Sequence, residues 1–445
     1  HINITSFMLL RHGKVLCEAS YEPYDAAQLR TVYSLSKTFT SMAVGIAAGE
    51  GKIDLDEKIT DLFAAEIENG KIQVGKELAS LSLRHLLRMS TGQEKEPGDS
   101  DCWDDMVSAF LREPFHEMPG EVFRYNSIAT YMLSASLKKK GIDLEHYLEE
   151  KLLTPMGISG TRWLRDPKGI CVGGFGFSLY PEGIAKLGQM ILQGGVWNGI
   201  QLVPKDYIDM ATSKQIENGN DPDSDWAQGY GYQMWRCRHN AVRGDGMYGQ
   251  FCIIHKETDT VLAMTAVTSD MQGEMNVYYD EVLLKYQDEP LSEDEKTMEV
   301  LKKRLNELHY VRPLPEDDGS AVPDAFKKIN LSLTSFFDLS LNIEGNMLTL
   351  TGKDGEIWYR AERGCWSKIR RKVHCSPFYT EKDSMDTPVI GAWGVKNGVL
   401  TIRVYEIEFL EEDTLTLTEA EDGIHVSFAN TTIPSNPREY VKKVI

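Results

Sequence analysis

The sequence predicts an α+β fold for residues 1–285, an antiparallel sheet flanked by a mostly helical region, followed by an all-β domain at residues 323–445. Three observations support this. Strand-like segments lie at both ends of the first region, a long helical stretch separates them, and apolar and polar residues alternate strictly near the C-terminus. The composition becomes charged and proline-containing near residue 286. We therefore assign residues 286–322 to a linker with one short helix.

The first predicted elements are a hairpin and an apolar helix. Residues 6–21, SFMLLRHGKVLCEASY, place an HGK turn between two apolar runs, which predicts two paired strands. The stretch YSLSKTFTSMAVGIAAGEG at residues 33–51 predicts a buried helix, because apolar residues recur on one face and glycines follow. These residues are Leu35, Phe39, Met42 or Ala43, and Ile46, followed by Gly49 and Gly51.

The remaining elements follow from the same patterns. Residues 128–156 are typical of two helices, and YGYQMW, QFCIIH and VLAMTAV, between residues 229 and 267, predict three strands. In the C-terminal domain, alternation in residues 400–404 and 424–428 and the turn pairs Asp354-Gly355, Asn397-Gly398 and Asp422-Gly423 predict hairpins. We expect a small barrel or sandwich there, and we find no catalytic constellation in it.

Composition excludes several classes of function. The net charge of −19 argues against nucleic acid or an anionic membrane surface as a partner. No run approaches the roughly 18 apolar residues of a membrane span. The sequence opens HINITSF without methionine, so we expect a soluble protein of a bacterial-type cytoplasm, or one exported with its leader removed. Nothing in the sequence predicts the oligomeric state.

Cofactors are not expected. The 7 cysteines are scattered and form no CxxC pair, which favours free thiols over disulfides or a zinc site. The HExxH, P-loop and strand-following GxGxxG motifs are absent, so we predict no metal, nucleotide or redox cofactor.

Ser34 and Lys37 form the first candidate site. A spacing of three places both side chains on one helical face, and burial lowers the pKa of a lysine enough for it to act as a base. Ser36 neighbours Lys37 but points about 100° away on a helix. An S-x-x-K pattern alone is weak, and a second copy runs from Ser136 to Lys139 near a solvated helix end.

Two further segments hold residues suited to the same chemistry. In FRYNS, at residues 123–127, Tyr125 and Ser127 project to one side of a short loop. Tyr125 could be held as a phenolate, shuttle a proton, or simply pack as a loop aromatic. RGDGMYGQF, at residues 243–251, is glycine-rich before a strand. It fits an edge where another chain approaches closely, or a plain hairpin turn.

Taken in order, these segments resemble the serine β-lactamase-like superfamily. It includes class C β-lactamases, penicillin-binding DD-peptidases, family VIII-type carboxylesterases and 6-aminohexanoate-oligomer hydrolases. The three boxes are Ser34-Leu-Ser-Lys37, Tyr125-Asn-Ser127 and Gly244-Asp-Gly246. The family more often has Y-x-N in the second box, and K-T-G or H-x-G in the third. Connecting segments such as LRHLLRMSTG agree, and the resemblance covers about residues 5–285.

The resemblance implies a role for each residue. Ser34 would be the acylated nucleophile and Lys37 its base. Tyr125 would pass protons to the leaving group and help activate water in deacylation, and Ser127 would contact lysine and substrate. The oxyanion hole would be the backbone N–H groups of Ser34 and of Met247, the residue after Gly246. Trp235 and Tyr248 fit either a wall of the site or the core.

The departures from the family pattern decide between substrates. Gly244 and Asp245 replace the residues that help hold the carboxylate of β-lactams and D-Ala peptides, and Arg243 would point the opposite way on a strand. We therefore expect a serine hydrolase of small esters, amides or peptide-like molecules. The alternatives are a β-lactamase, a D-amino-peptidase or DD-peptidase, and, from another class, a non-catalytic binding module of this fold.

Overall fold

This computed structural model describes residues 3–97, 100–287, 294–309, 314–332, 338–352, 355–373, 385–430 and 438–442. The chain divides into two compact units, His1–Leu308 and His309–Ile445. The division falls inside the segment assigned to a linker. The predicted boundaries at residues 285 and 323 stay predictions.

The strands of unit 1 form a main sheet from both sequence ends of the unit, as predicted, and smaller sheets from the part between them. They are β1 Ile4–Arg11, β2 Lys14–Ser20, β3 Arg30–Thr31, β4 Arg162–Trp163, β5 Phe177–Leu179, β6 Val196–Trp197, β7 Ile200–Gln201, β8 Trp235–Arg236, β9 Val242–Gly246, β10 Gln250–His255 and β11 Thr260–Ala266. The main sheet has the order β2-β1-β11-β10-β9-β8, and neighbouring strands are antiparallel. Leu262 of β11 is paired with Leu9 on one side and Ile253 on the other.

The helices of unit 1 fill the middle of its sequence and its end. They are α1 Ser36–Gly49, α2 Ile59–Leu62, α3 Ala64–Gly70, α4 Lys76–Ser80, α5 Leu83–Leu87, α6 Met106–Arg112, α7 Ser127–Lys139, α8 Leu144–Leu148, α9 Pro181–Leu192, α10 Lys205–Thr212, α11 Met271–Glu281 and α12 Glu295–Asn306. Helices α7 and α8, with the π-helical turn Glu149–Leu153, confirm the two helices predicted for residues 128–156.

The main sheet is covered on both faces, so β9, β10 and β11 are buried throughout. Helix α9 packs on one face, where Gly188 lies so close that an added Cβ would stand 2.5 Å from Val261 Cγ1. On the other face, Phe251 and Ile253 join Met275 and Tyr279 of α11 in one apolar cluster. Burial of this kind stabilises by roughly 25 cal/mol per Å² of apolar surface.

In the described residues of unit 2, all elements are strands apart from the short helix α13, Asp324–Lys327. Its strands are β12 Lys328–Ser332, β13 Asp338–Glu344, β14 Met347–Gly352, β15 Ile357–Glu362, β16 Ser367–Val373, β17 Met385–Lys396, β18 Val399–Glu406, β19 Glu411–Ala420, β20 Gly423–Asn430 and β21 Arg438–Lys442. They form two antiparallel sheets in sequence order, β12 to β15 and β16 to β21. Both sheets contribute to one core, in which Leu341, Tyr359 and Trp393 are buried.

Most predicted elements are confirmed, including the first hairpin, helix α1 and the alternating strands β18 and β20. The strand predicted for YGYQMW is wrong, because only Trp235–Arg236 is a strand there. Gln233 interrupts it with a backbone φ of 59°. Asn397 and Gly398 form the predicted turn with φ values of 51° and 76°, whereas Asp354 lies outside the described residues.

No helix in the described part of the chain is long and apolar enough to cross a membrane. Cys17, Cys102, Cys171, Cys237, Cys252 and Cys365 are free thiols, and Cys375 lies outside the described residues.

Candidate active site

Ser34 lies in a one-turn 3-10 helix, Tyr33–Leu35, that leads directly into α1. Tyr33 adopts a left-handed backbone conformation with φ of 47°, which non-glycine residues rarely adopt and which is common at functional sites. Helix α1 is apolar and buried on nearly all sides, because it packs against α7, α8 and α10. This burial extends to the first turn, where Lys37 is only 2% exposed.

The amino group of Lys37 joins three segments of the chain. Its Nζ lies 3.0 Å from Ser34 Oγ, 3.2 Å from Ser127 Oγ and 2.7 Å from the carbonyl oxygen of Gly174. A neutral amine has two N–H donors and one lone pair. Donation to Gly174 and Ser127 therefore leaves the lone pair free to accept the Ser34 hydroxyl.

Burial lowers the pKa of Lys37 to about 7, because the ammonium form loses its hydration. The carboxylates of Glu96 and Asp245 oppose this and raise the pKa. A substantial fraction of Lys37 is therefore uncharged near neutral pH, which is the form that accepts a proton.

The two alternative serines, Ser36 and Ser136, form hydrogen bonds with backbone groups and not with a lysine. Ser36 Oγ donates to the Tyr33 carbonyl at 2.5 Å and accepts from the Phe177 amide at 3.2 Å. In the second S-x-x-K copy, Ser136 is buried and donates to the Met132 carbonyl at 2.6 Å, whereas Lys139 forms an ion pair with Glu66.

Tyr125 stands beside the serine and the lysine. Ser34 is a neighbour that lowers the pKa of the Tyr125 phenol, and the Tyr125 ring centroid lies 4.8 Å from Lys37 Nζ. Burial, followed by the nearby Asp245 carboxylate, raises the pKa of Tyr125. The resting site therefore holds a phenol and not a phenolate.

Ser127 is the first residue of α7 and not a loop residue, so the start of the helix fixes the position of its hydroxyl. The preceding Asn126 caps this helix, since its Oδ1 accepts the Ala129 amide at 2.9 Å. The Ser127 amide donates to Glu96 Oε2 at 3.0 Å. Sequence reasoning gave no role to Glu96 or Gly174, because only the tertiary fold brings them to Lys37 and Ser127.

The segment at residues 243–251 reaches the site at the end of β9. Gly244 faces α1 so closely that a Cβ there would stand 2.4 Å from Thr38 Oγ1, and a Cβ on Gly246 would stand 2.1 Å from the Val32 carbonyl oxygen. These contacts bring Met247, which is 55% exposed, next to the turn that holds Ser34.

Two tyrosines pack where these turns meet. Tyr248 follows Met247 and has a backbone φ of 66°, whereas Tyr33 precedes Ser34. Their rings lie edge to face with centroids 5.5 Å apart. Each residue whose amide would line an oxyanion hole is thus next to a tyrosine in a left-handed conformation.

Asp245 is held by a buried pair of partners. Its Oδ2 accepts two hydrogen bonds from Arg243, at 2.9 and 3.1 Å, and its Oδ1 accepts from Trp235 Nε1 at 2.8 Å. The Trp235 ring is stacked on Tyr125 with centroids 5.5 Å apart and an interplanar angle of 17°. Trp235 is therefore part of the aromatic wall behind Tyr125, although it is only 8% exposed.

The sequence model of the Beta-lactamase family matches residues 4–285, more than half of the chain. The chain belongs to the beta-lactamase family. The resemblance based on the three boxes is thereby confirmed, and so is the fold class, a β-lactamase-like region followed by a separate all-β region.

The chain is also similar to proteins that are distant from it in sequence. Protein flp of Staphylococcus aureus strain MW2 is 22% identical over 177 residues, 36% of this chain and 35% of its own length, so the chain spans about a third of this curated relative. A Bacillus anthracis structure assigned as a 6-aminohexanoate-dimer hydrolase has a TM-score of 0.53 at 19% identity, and the alignment covers 63% of this chain and 78% of that one.

For a second similar structure, the alignment extends beyond the family region. The octameric penicillin-binding protein homologue from Pyrococcus abyssi has a TM-score of 0.51 at 16% identity. The alignment covers 92% of this chain and 94% of that one. At these identities the likeness concerns the fold alone. Within the beta-lactamase family fold, the described residues contain no group of three or more His, Cys, Asp or Glu side chains that could hold a metal ion.

Proposed function

We propose that this beta-lactamase family member is a serine hydrolase that cleaves esters or amides through an acyl-enzyme at Ser34. One observation carries the proposal: Lys37 Nζ lies 3.0 Å from Ser34 Oγ while also bonding Ser127 and Gly174. A serine hydroxyl needs an adjacent base to become a nucleophile, and a buried lysine with a pKa of about 7 is such a base.

Acylation follows from these contacts. Ser34 Oγ attacks the carbonyl carbon of the substrate while its proton passes to the lone pair of Lys37. The carbonyl oxygen becomes an oxyanion, for which the backbone N–H groups of Ser34 and Met247 are the proposed donors. The C–O or C–N bond then breaks, and the leaving group takes the proton of Tyr125. The Lys37 ammonium replaces this proton through the Ser127 hydroxyl.

Deacylation reverses the roles with water in place of the leaving group. Water loses a proton to the neutral amine of Lys37 as its oxygen attacks the acyl carbon, and Lys37 returns that proton to Ser34 Oγ as it leaves. The proposal keeps Tyr125 as a neutral phenol in the resting site, in agreement with the direction of its pKa.

The segment at residues 243–251 favours esters and amides over β-lactams and D-Ala peptides as substrates. Gly244 carries no side chain, and packing against Thr38 leaves no room for one. Arg243 is fully buried and paired with Asp245, so it offers no cation to a substrate carboxylate. Neither residue can hold an anionic substrate in the way the family's usual third box does.

The experiment compares p-nitrophenyl ester hydrolysis by the wild type, Ser34→Ala and Ser36→Ala. We expect Ser34→Ala to lose turnover by several orders of magnitude, because covalent catalysis is removed. Ser36→Ala should retain its nucleophile and show a much smaller loss. Equal losses in both variants, or faster hydrolysis of nitrocefin than of any ester, would contradict the proposal.

A further inference from the structure

The carboxylates of Asp245 and Glu96 both raise the pKa values of Lys37 and Tyr125. They differ in how many hydrogen bonds and ion pairs they form. Both carboxylate oxygens of Asp245 already accept hydrogen bonds, Oδ2 from Arg243 and Oδ1 from Trp235. Glu96 accepts one hydrogen bond, from the Ser127 amide to Oε2 at 3.0 Å. Among the described residues, no lysine, arginine or histidine forms an ion pair with Glu96, and its Oε1 has no hydrogen-bond partner.

The position of Glu96 relative to the reacting groups is fixed. It is bonded to the backbone of the residue whose hydroxyl lies 3.2 Å from Lys37 Nζ. Its charge acts on both Lys37 and Tyr125. Glu96 is partly buried, so its uncompensated charge is only partly screened by water.

The charge balance of the site is therefore negative when Lys37 is neutral. A substrate carboxylate at the same place would be repelled by the Glu96 carboxylate. A substrate cation would gain an ion pair with Glu96.

We propose that Glu96 is a specificity-determining residue that selects esters and amides carrying a cationic nitrogen, such as a primary ammonium group. This inference rests on the proposed function, because it places that substrate at Ser34. Glu96 binds the cation through Oε1, and the Ser127 amide holds the carboxylate in place. Substrates with a carboxylate at the same position are disfavoured by repulsion.

Recognition is measured apart from catalysis by calorimetric titration of the Ser34→Ala variant with 6-aminohexanamide and with hexanamide. We expect the amine to bind about tenfold more tightly or better, since hydrogen bonds to charged groups stabilise by about 1.5–3 kcal/mol. The double variant Ser34→Ala/Glu96→Gln should lose this preference. Glu94→Gln in the same background is the matched control, because Glu94 lies two residues away and pairs with His116.

The kinetic counterpart is the ratio of kcat/KM values for 6-aminohexanoyl and hexanoyl p-nitroanilide. Glu96→Gln should lower this ratio about tenfold, whereas Glu94→Gln should leave it unchanged. Because any effect of Glu96 on Lys37 acts on both substrates, the ratio isolates recognition. An unchanged ratio in Glu96→Gln, or the absence of an amine preference in the wild type, would overturn the inference while Ser34-dependent hydrolysis stands. Retained amine binding by Ser34→Ala supports it even if Ser34 is not the nucleophile.

Discussion

At the scale of single residues, the chemistry depends on the burial of one lysine, Lys37, away from water. Lys37 is nearly fully buried among apolar residues of α1, and its amino group is hydrogen-bonded to oxygen atoms that suit both of its charge states. It can therefore gain or lose a proton without any rearrangement of its neighbours. This matches the requirement for a base that acts in both acylation and deacylation.

The pH dependence of kcat/KM tests this base. Activity should rise as the pH increases through about 7, because the lowered pKa of Lys37 leaves the amine unprotonated only above that range. Glu96→Gln should move this acidic limb to lower pH, because it removes a carboxylate that raises the pKa of Lys37. A limb that stays in place in Glu96→Gln, or one centred near the ordinary lysine pKa, would contradict the assignment.

The pair of Arg243 and Asp245 gives a stability prediction. Arg243→Met leaves the Asp245 carboxylate buried without its cation, which should lower the free energy of unfolding by about 3–5 kcal/mol. The double variant Arg243→Met/Asp245→Leu removes both charges and should recover most of the loss. Denaturant titrations of the two variants provide the measurement. Equal destabilisation of single and double variants would show that the charge pair is not the cause.

At the scale of elements, the site is a meeting of the turn before α1, the start of α7 and the end of β9. Gly246 lets β9 approach this turn, so Gly246→Ala should push the strand end and Met247 away from Ser34. Because the Cβ would meet backbone, we expect kcat for an ester to fall about 100-fold.

The control for this prediction is Gly75→Ala, where the nearest atom to an added Cβ is a flexible Glu77 side-chain oxygen at 3.0 Å. It should retain wild-type kcat in the same ester assay. Wild-type turnover by Gly246→Ala would show that close approach of β9 is not needed for the reaction.

The limits of prediction from sequence also appear at this scale. Local periodicity predicted α1 and the strands β10 and β11, and helical spacing placed Ser34 and Lys37 together. The irregular path of residues 230–235 was not predicted, because it depends on contacts distant in sequence. Gln233 there donates to the Leu86 and Leu87 carbonyls and accepts from Thr130. Glu96 was missed for the same reason.

At the scale of the whole molecule, every residue of the candidate site belongs to unit 1. Unit 2 has its own core around Trp393, whose indole N–H donates to the Ala361 carbonyl at 3.0 Å. Trp393→Ala should destabilise unit 2 by about 3–5 kcal/mol, because it opens a large cavity.

Phosphonylation of Ser34 by a fluorophosphonate should proceed at the wild-type rate in Trp393→Ala at low temperature. Scanning calorimetry and the rate of labelling measure the two effects. A labelling rate that falls together with the stability of unit 2 would mean that the site needs more than unit 1.

The central claim is that Ser34, activated by Lys37, is the residue that becomes acylated. Peptide mapping by mass spectrometry after treatment with a fluorophosphonate tests it most directly, in the wild type and in Lys37→Met. We predict a single adduct on Ser34 in the wild type, and labelling slowed by orders of magnitude in Lys37→Met. An adduct on Ser36, Ser127 or Ser136 instead, or equally fast labelling without the lysine, would contradict the account.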